Sequence, residues 1–268
     1  MDNLLNVSKK YFSNKMNKIC IVSVIEKEME AIIQRYDLKS VEDENGEFYW
    51  QGSVIINEDE YKIDCFELPE KGNINSALYI NKIIQKNYDL YFFVGTAGSN
   101  ERKLYDVILV DGVLYLGQGA HTSKGTFYNA DIKWIDRMLK NKLQCFALDC
   151  KKQYDKEEFN IKVAPVYSSN FVEMNPGDEA IQNVKKVFRS YEGVEMEYYG
   201  VLLAQEFNNS EKSFIMIRGI SDKCDEKKKD KYEDDKYGLE ADDRKIKAVE
   251  NALIVLEHYC AFCNKEIM

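Results

Sequence analysis

Five short apolar runs, separated by helical patterns, constrain the fold of this chain more than any other feature. They occupy residues 19–25, 90–94, 107–116, 161–167 and 214–217. These runs are too continuous for strands with one face in water, so we expect helices to cover both faces of the sheet that they form. Helical patterns between successive runs imply parallel strands joined by crossovers. The sequence therefore predicts an α/β fold, a three-layer sandwich with a mixed central β-sheet flanked by helices.

Several shorter patterns add elements to this sheet. Residues 48–56 and 61–68 alternate as an antiparallel pair around a turn at 57–60, which makes the sheet mixed. Residues 117–125 are rich in turn-forming residues, and residues 131–139 show a helical pattern. We therefore expect a hairpin, a turn-rich loop and a helix at these three places.

The last fifth of the chain contains a break in composition. Residues 223–244 are crowded with Lys, Asp and Glu, which is typical of a solvated loop or a frayed helix. Their position just after Asp222 also leaves room for a mobile lid. Residues 246–262 form an amphipathic helical pattern that would cover one face of the sheet. We expect residues 1–17 to be a polar N-terminal extension and residues 18–268 to be a single catalytic domain.

The charge and the cysteines exclude several classes of protein. No apolar run approaches the roughly 20 residues of a membrane helix, and the first residues lack the apolar centre of a signal peptide. We therefore expect a cytoplasmic protein without a membrane partner. The seven cysteines are an odd number in apolar segments, as expected for reduced thiols. Cys260 and Cys263 form a CxxC pair without a second pair, so we predict no metal and no cofactor. The formal net charge of −9 argues against nucleic acid and favours a small-molecule partner.

Two carboxylates stand at the ends of predicted elements. Glu197 lies at the start of an apolar helical pattern, and Asp222 follows the buried strand at 214–217. Element ends hold side chains more rigidly than a solvated face does, which suits acid catalysis on a substrate that carries several hydroxyl groups. An ordinary helix and strand with charged ends remain the alternative interpretation.

A run of small residues, Gly95-Thr96-Ala97-Gly98, follows the predicted strand at 90–94. Because these residues lack bulky side chains, their backbone N–H groups can approach a ligand closely. The pattern indicates a binding loop, and a plain tight turn is the alternative.

Four stretches resemble one protein family when they are taken in order. They are residues 18–28 (KICIVSVIEKE), 72–77 (GNINSA), 95–98 (GTAG), and 194–197 (VEME) with 218–222 (RGISD). The chain resembles the nucleoside phosphorylase and nucleosidase superfamily, and within it the branch that contains 5′-methylthioadenosine/S-adenosylhomocysteine nucleosidase. Two of the stretches look most like the nucleosidase-like effector domains of signalling and antiviral defence proteins, some of which attack nucleotides.

The resemblance implies hydrolysis of the N-glycosidic bond of a purine, specifically adenine, nucleoside or nucleoside derivative. Cleavage builds positive charge on the ribose and negative charge on the base, so it needs an acid at the base and a nucleophile at the sugar. By resemblance, Asp222 is the acid at purine N7, Glu197 binds the ribose hydroxyls and Glu28 activates water. The implied substrate-binding residues are Thr96, Ala97, Gly98, Phe171, Val172, Met196 and Ser221, with Phe171 stacking on the base and Met196 beneath the sugar.

Other activities remain open at this point. A phosphorylase is disfavoured because a carboxylate at Glu28 repels phosphate and because the chain lacks the glycine and arginine pattern that grips this ion. Glu26 competes with Glu28 for the water, and either residue could instead cap the following helix. A nucleotide nucleosidase effector and a non-catalytic nucleoside sensor are further alternatives.

The 5′ end of the substrate and the assembly are the least constrained features. A 5′-phosphate would need cationic groups, and Arg102, Lys103 and Lys124 stand in predicted loops near the site, with His121 in the same segment as Lys124. The resemblance implies a homodimer or a higher homo-oligomer, for which the aromatic-rich stretch 113–127 is our predicted contact.

Overall fold

The computed structural model describes residues 17–122, 125–153, 159–170, 182, 184–186 and 188–267. The strands are β1 (Lys18–Ser23), β2 (Lys39–Glu42), β3 (Phe48–Ile56), β4 (Asp59–Glu67), β5 (Leu90–Gly98), β6 (Val107–Thr122), β7 (Gly125–Trp134), β8 (Ile161–Ser168), β9 (Gly193–Glu195) and β10 (Phe214–Asp222). The main helices are α1 (Glu26–Tyr36), α2 (Asn73–Ile83), α3 (Arg137–Gln153), α4 (Tyr198–Phe207) and α5 (Ala241–Ile267), with a short 3₁₀ turn at Glu226–Lys229.

The described strands form one mixed sheet. Their hydrogen-bonded order is β10-β6-β8-β9-β5-β1-β4-β3-β2, with β7 paired to β6. β5 lies parallel to β1 and β10, whereas β10 and β6 are antiparallel. Because β5 also pairs with β9, and β9 with β8, the strands β5, β10, β6, β8 and β9 close into a ring. The carboxyl ends of β1, β5 and β10 meet at one edge of the sheet, where open α/β folds bind ligands.

The centre of the sheet confirms the predicted three-layer α/β sandwich. Phe92 of β5 is paired on one side with Ile21 of β1 and on the other with Ile215 of β10. All three side chains are buried, as is Val110 of β6. Helices cover both faces of this sheet, which explains why its apolar runs are continuous rather than alternating. Val163, the fifth strand residue that we expect inside the sheet, lies in β8 and is half-buried.

Close backbone contacts at two glycines fix helices near the ligand edge. A β-carbon added to Gly200 of α4 would collide with the carbonyl oxygen of Asn73, and one added to Gly219 of β10 would collide with that of Ala248. The side-chain oxygen of Asn73 accepts hydrogen bonds from the Gly200 N–H and from the Ser168 hydroxyl, each at 3.0 Å. The start of α2 is thereby tied to α4 and to the end of β8.

Three local predictions are wrong because strand pairing overrides the local pattern. The helix expected at 131–139 is strand β7 as far as Trp134, and α3 begins only at Arg137. The turn-rich segment 117–125 mostly continues β6, which forms a hairpin with β7. The run from Gly95 to Gly98 is the end of β5 rather than a loop, since it pairs with β10. The antiparallel pair β3 and β4 matches its prediction, with Asn57 and Glu58 at positive φ in the turn.

The charged segment 223–244 is not the solvated loop that its composition predicts. Arg244 is fully buried and donates hydrogen bonds to the carbonyl oxygen of Ser221, just before the segment, and to three carbonyl oxygens within it, those of Lys228, Asp230 and Leu239. Tyr232 and Asp235 are also buried, and Asp235 accepts a hydrogen bond of 2.7 Å from the Tyr105 hydroxyl. The segment is therefore packed onto the domain, because a few buried residues anchor an otherwise charged stretch.

Two further observations concern the exclusions drawn from the sequence. Cys260 and Cys263 are buried within α5, and none of the seven cysteines forms a disulfide bond. Within the described helices, we find none that combines the length and the apolar character needed to cross a membrane. The division into an extension at 1–17 and one domain stays a prediction, since residues 1–16 lie outside the described part of the chain.

Candidate active site

A cavity of about 180 Å³ opens at the carboxyl ends of β1, β5 and β10. Every predicted site residue that the structure describes lines it, namely Glu28, Thr96, Ala97, Gly98, Met196, Glu197, Ser221 and Asp222. Phe171 and Val172 lie outside the described residues. The three predicted catalytic carboxylates, although far apart in sequence, thus face one space.

Glu28 is buried and held by a complete set of hydrogen bonds. Its Oε1 accepts from the backbone N–H and the hydroxyl of Thr96, at 2.7 and 2.8 Å. Its Oε2 accepts from the Ser23 hydroxyl at 2.9 Å and from the Ile25 N–H at 3.3 Å. The bond from Ile25 closes the first turn of α1, so Glu28 also caps this helix. Glu26 is exposed and does not line the cavity, which removes it as a competitor.

The guanidinium group of Arg218 forms ion pairs with two buried carboxylates. The Nη2 of Arg218 lies 3.4 Å from Glu195 Oε2 and 3.2 Å from Glu197 Oε2. Its guanidinium also stacks on the ring of Phe93 at 4.8 Å. A β-carbon on Gly95 would collide with Arg218 and would approach the Glu28 oxygens to 2.9 and 3.0 Å. Glycine at this position of β5 is therefore what lets Arg218 and Glu28 pack against the same backbone.

This cluster changes the protonation of Glu197. The pKa of Glu197 is raised to about 7, mainly by burial and also by the nearby Glu195 and Glu28 carboxylates. Arg218 and a backbone hydrogen bond to Gly72 oppose this rise in pKa. The positive charge of Arg218 thus neutralises only part of the negative charge of Glu28, Glu195 and Glu197. Glu197 can therefore carry a proton near neutral pH, which an exposed glutamate does not.

Asp222, at the end of β10, is held by three donors. Its Oδ1 accepts from the Cys224 N–H at 3.0 Å, and its Oδ2 accepts from the Ser221 hydroxyl at 3.1 Å. The Nζ of Lys228 lies 3.1 Å from the same Oδ2. A β-carbon on Gly98 would come within 2.6 Å of Asp222 Oδ1. Glycine at this position therefore allows the Asp222 carboxylate to pack against β5.

The structure adds cavity residues to which the sequence reasoning assigned no role. They are Val24, Ile25, Lys71, Val194, Glu195, Cys224, Lys228 and Lys245 lining the cavity, and Arg218 behind it. A signal for Arg218 was present, because an arginine inside the apolar strand pattern FIMIRGI needs buried anionic partners. Lys228 gave no such signal, since it stands among many charged residues.

Of the cations that we considered for a 5′-phosphate, the two whose side chains the structure describes, Arg102 and Lys103, do not line this cavity. Arg102 and Lys103 line a different one, together with Asp106 and Lys223. Arg102 is also engaged by an ion pair with Glu192. Lys124 lies outside the described residues, as does the side chain of His121.

The charged side chains of this cavity favour a positively charged group beside its three glutamates. Glu28, Glu195 and Glu197 stand together with one compensating arginine, whereas Asp222 is paired with Lys228. A sugar that develops positive charge would be stabilised beside the first group. Across the described part of the chain, no group of three or more His, Cys, Asp or Glu side chains is arranged to hold a metal ion.

Comparison with solved structures shows the fold. The 5′-methylthioadenosine/S-adenosylhomocysteine nucleosidase of S. pneumoniae, solved with a transition-state inhibitor, is 17% identical over 91% of this chain and 98% of its own, with a TM-score of 0.64. Futalosine hydrolase of Helicobacter pylori is 17% identical over 92% and 98%, with a TM-score of 0.66. The H. pylori methylthioadenosine nucleosidase is 17% identical over 93% and 100%, also with a TM-score of 0.66.

The expected nucleoside phosphorylase-like fold is thus confirmed over nearly the whole described chain. No protein-family model matches the sequence, and no match was found among curated proteins.

Proposed function

We propose that this cavity hydrolyses the N-glycosidic bond of a purine nucleoside or nucleoside derivative and releases the free base. The observation that carries the proposal is the convergence of Glu28, Glu197 and Asp222 on one cavity at the carboxyl ends of parallel strands. Solved proteins with the same fold are nucleosidases and a futalosine hydrolase, one of them in complex with adenine. The fold and the acid pattern therefore support the same reaction class.

At the sugar, the two glutamates would act on different atoms. Glu197, when ionised, offers acceptor oxygens for the ribose hydroxyls, and the Glu28 cluster stabilises the positive charge of the oxocarbenium-like transition state. Glu28 would also accept a proton from the attacking water. Its four hydrogen bonds already fill the acceptor sites of a carboxylate, so the water would take the place of the weakest donor, the Ile25 N–H at 3.3 Å.

At the base, the carboxyl group of Asp222 in its protonated form would donate its proton to N7 of the departing purine. The Ser221 hydroxyl and the Cys224 N–H fix the orientation of its carboxyl group. Stabilisation of the negative charge that develops on the base lowers the barrier to bond cleavage. The resemblance implies adenine, whose N7 is shared with the other purines. Met196, which directly precedes Glu197 in the sequence, lines the cavity and would pack against the sugar.

Water is favoured over phosphate as the nucleophile. Phosphorolysis would need a cationic site for phosphate beside the sugar. The cation nearest the glutamates, Arg218, is already within 3.4 Å of both Glu195 and Glu197. The uncompensated negative charge of this cluster would repel a phosphate ion.

A nucleotide substrate is a second candidate, favoured by one observation. Lys71 and Lys245 line the cavity in addition to Lys228. Ammonium groups that line an otherwise acidic cavity could bind a 5′-phosphate, although Lys245 also forms an ion pair with Asp242. For such a substrate, Lys71→Met should lower kcat/KM for AMP but leave that for adenosine unchanged. Equal effects on both compounds would argue against this candidate.

The experiment that tests the proposed reaction measures free base and free sugar from a panel of adenosine, 5′-methylthioadenosine, inosine, guanosine and AMP. We expect release of base with the wild type and a loss of at least about a hundredfold in kcat/KM for Glu28→Gln and for Asp222→Asn. Glu26→Gln, which changes an exposed acid on the same helix, is the matched control and should remain fully active. Tight binding without any turnover would instead support the nucleoside sensor.

A further inference from the structure

Lys228 stands beside the carboxylate that would contact the purine. It lies in the 3₁₀ turn at Glu226–Lys229 and lines the cavity. Its Nζ is 3.1 Å from Oδ2 of Asp222, and 29% of its side chain is exposed. An ammonium group has three N–H donors, and within the part of the chain that the structure describes, the contact with Asp222 uses one of them. The remaining donors are thus available to a ligand that sits against Asp222.

The position of Lys228 relative to Asp222 is set by a buried residue. Arg244 donates to the carbonyl oxygen of Ser221 at 3.2 Å and to that of Lys228 at 2.7 Å. The same guanidinium stacks on Tyr232 at 4.7 Å. Because one rigid and fully buried group holds both backbones, the pair of Lys228 and Asp222 is part of the packed structure rather than an encounter of two surface side chains.

The chemistry of the purine edge determines what such a pair can recognise. On the edge that carries N7, adenine presents an acceptor and an amino donor, whereas guanine presents two acceptors, N7 and O6. Lysine can only donate hydrogen bonds, and it commonly pairs with the O6 and N7 of guanine. A lysine next to the N7 contact therefore matches an oxo group at C6 and opposes an amino group there.

We propose that Lys228 selects the base of the substrate and favours a 6-oxopurine over a 6-aminopurine. This inference rests on the proposed function, because it takes the protonated carboxyl group of Asp222 as the donor to N7, while Lys228 contacts Oδ2 of the same group. Lys228 would also stabilise the negative charge that spreads onto the oxo group as the base departs. The site is then specific for inosine-type or guanosine-type compounds, with Asp222 and Lys228 reading adjacent atoms of one edge.

The first test compares inosine and adenosine, which share the sugar and differ at C6. The wild type should hydrolyse inosine with the higher kcat/KM. Lys228→Met, which keeps the length of the side chain and removes its donors, should lower kcat/KM for inosine roughly tenfold or more, the loss expected for one direct base contact, and should spare adenosine. Lys227→Met is the matched control, since Lys227 is an exposed neighbour that does not line the cavity.

A second measurement separates this inference from the proposed reaction. Calorimetric titration with the free bases should show that hypoxanthine binds more tightly than adenine, and that Lys228→Met removes the difference. If hypoxanthine binds in this way but no nucleoside is cleaved, the hydrolytic function is wrong and the selectivity stands. If adenine binds as well or better, or if Lys228→Met weakens both bases equally, Lys228 only neutralises Asp222 and the inference is overturned.

Discussion

Replacement of Glu197 by glutamine should make the protein more stable at alkaline pH while impairing its activity. Glutamine keeps the shape of the side chain but removes its charge. In the native protein, burial and the neighbouring Glu195 and Glu28 make the ionised form of Glu197 unfavourable despite the contact with Arg218. The substitution removes this unfavourable charge, and it also removes the ionised acceptor proposed to bind the ribose hydroxyls.

The magnitude follows from the pKa. A rise in the pKa of Glu197 from 4.5 to about 7 corresponds to about 3 kcal/mol, at about 1.4 kcal/mol for each pH unit. Between these two values the native protein holds a proton that the unfolded chain has lost. The free energy of unfolding of the wild type therefore falls as the pH rises from 4.5 to 7 and is constant above it with respect to this group. The free energy of unfolding of Glu197→Gln does not decrease in this way, because glutamine does not ionise.

Urea denaturation followed by circular dichroism at pH 5 and pH 8 measures the effect. The free energy of unfolding of Glu197→Gln minus that of the wild type should be larger at pH 8 than at pH 5 by about 2.5 kcal/mol, because a small part of the decrease in the wild type has already occurred at pH 5. Glu211→Gln, which changes an exposed glutamate, should show no such dependence. A difference in the free energy of unfolding between variant and wild type that is the same at both pH values would refute this prediction. A difference that is smaller at pH 8 than at pH 5 would also refute it.

Three further predictions concern the same cavity. Gly98→Ala places a β-carbon 2.6 Å from Asp222 Oδ1, so kcat/KM should fall at least about tenfold with an unchanged circular dichroism spectrum; full activity would contradict the tight packing. Arg218→Met leaves the buried carboxylates without their cation and should cost about 3–5 kcal/mol of stability in urea denaturation, more at pH 8 than at pH 5; a pH-independent cost would be inconsistent with this account. The kcat/KM of the wild type should rise with pH to a plateau above about 7, as Glu197 loses its proton, and a rate profile that is flat between pH 5.5 and 8 would exclude the ionised carboxylate as the ribose ligand.

The sequence predicts the centre of the fold better than its edges. The continuous apolar runs around Phe92 and Ile215 require a sheet buried on both faces, and these residues are direct neighbours in it. The wrong predictions concern segments whose secondary structure depends on pairing with another strand. Residues 131–134 alternate with a strand period over too few positions to outweigh a helical interpretation, and only their pairing with β6 makes them a strand.

Some residues of the site could be predicted from the sequence and others could not. Glu28, Glu197 and Asp222 could be identified because the motifs around them resemble a known family. The contacts of Arg218 and Lys228 could not, because they depend on tertiary structure. Lys228 lies beside Asp222 because Arg244 binds the carbonyl oxygens of both Ser221 and Lys228, and no local pattern distinguishes Lys228 from its exposed neighbour Lys227.

The measurement that tests the central claim most directly is cleavage of a purine nucleoside in ¹⁸O-labelled water, with and without phosphate. Inosine and adenosine are the first substrates, and mass spectrometry identifies the sugar product. If water is the nucleophile, the product is free ribose that carries the label in its C1 hydroxyl group from the first time points, before slow exchange with the solvent adds label, and phosphate changes neither the rate nor the product. Formation of ribose 1-phosphate, or the absence of base release from every purine nucleoside in the panel, would contradict the account of this cavity as a hydrolytic nucleosidase site.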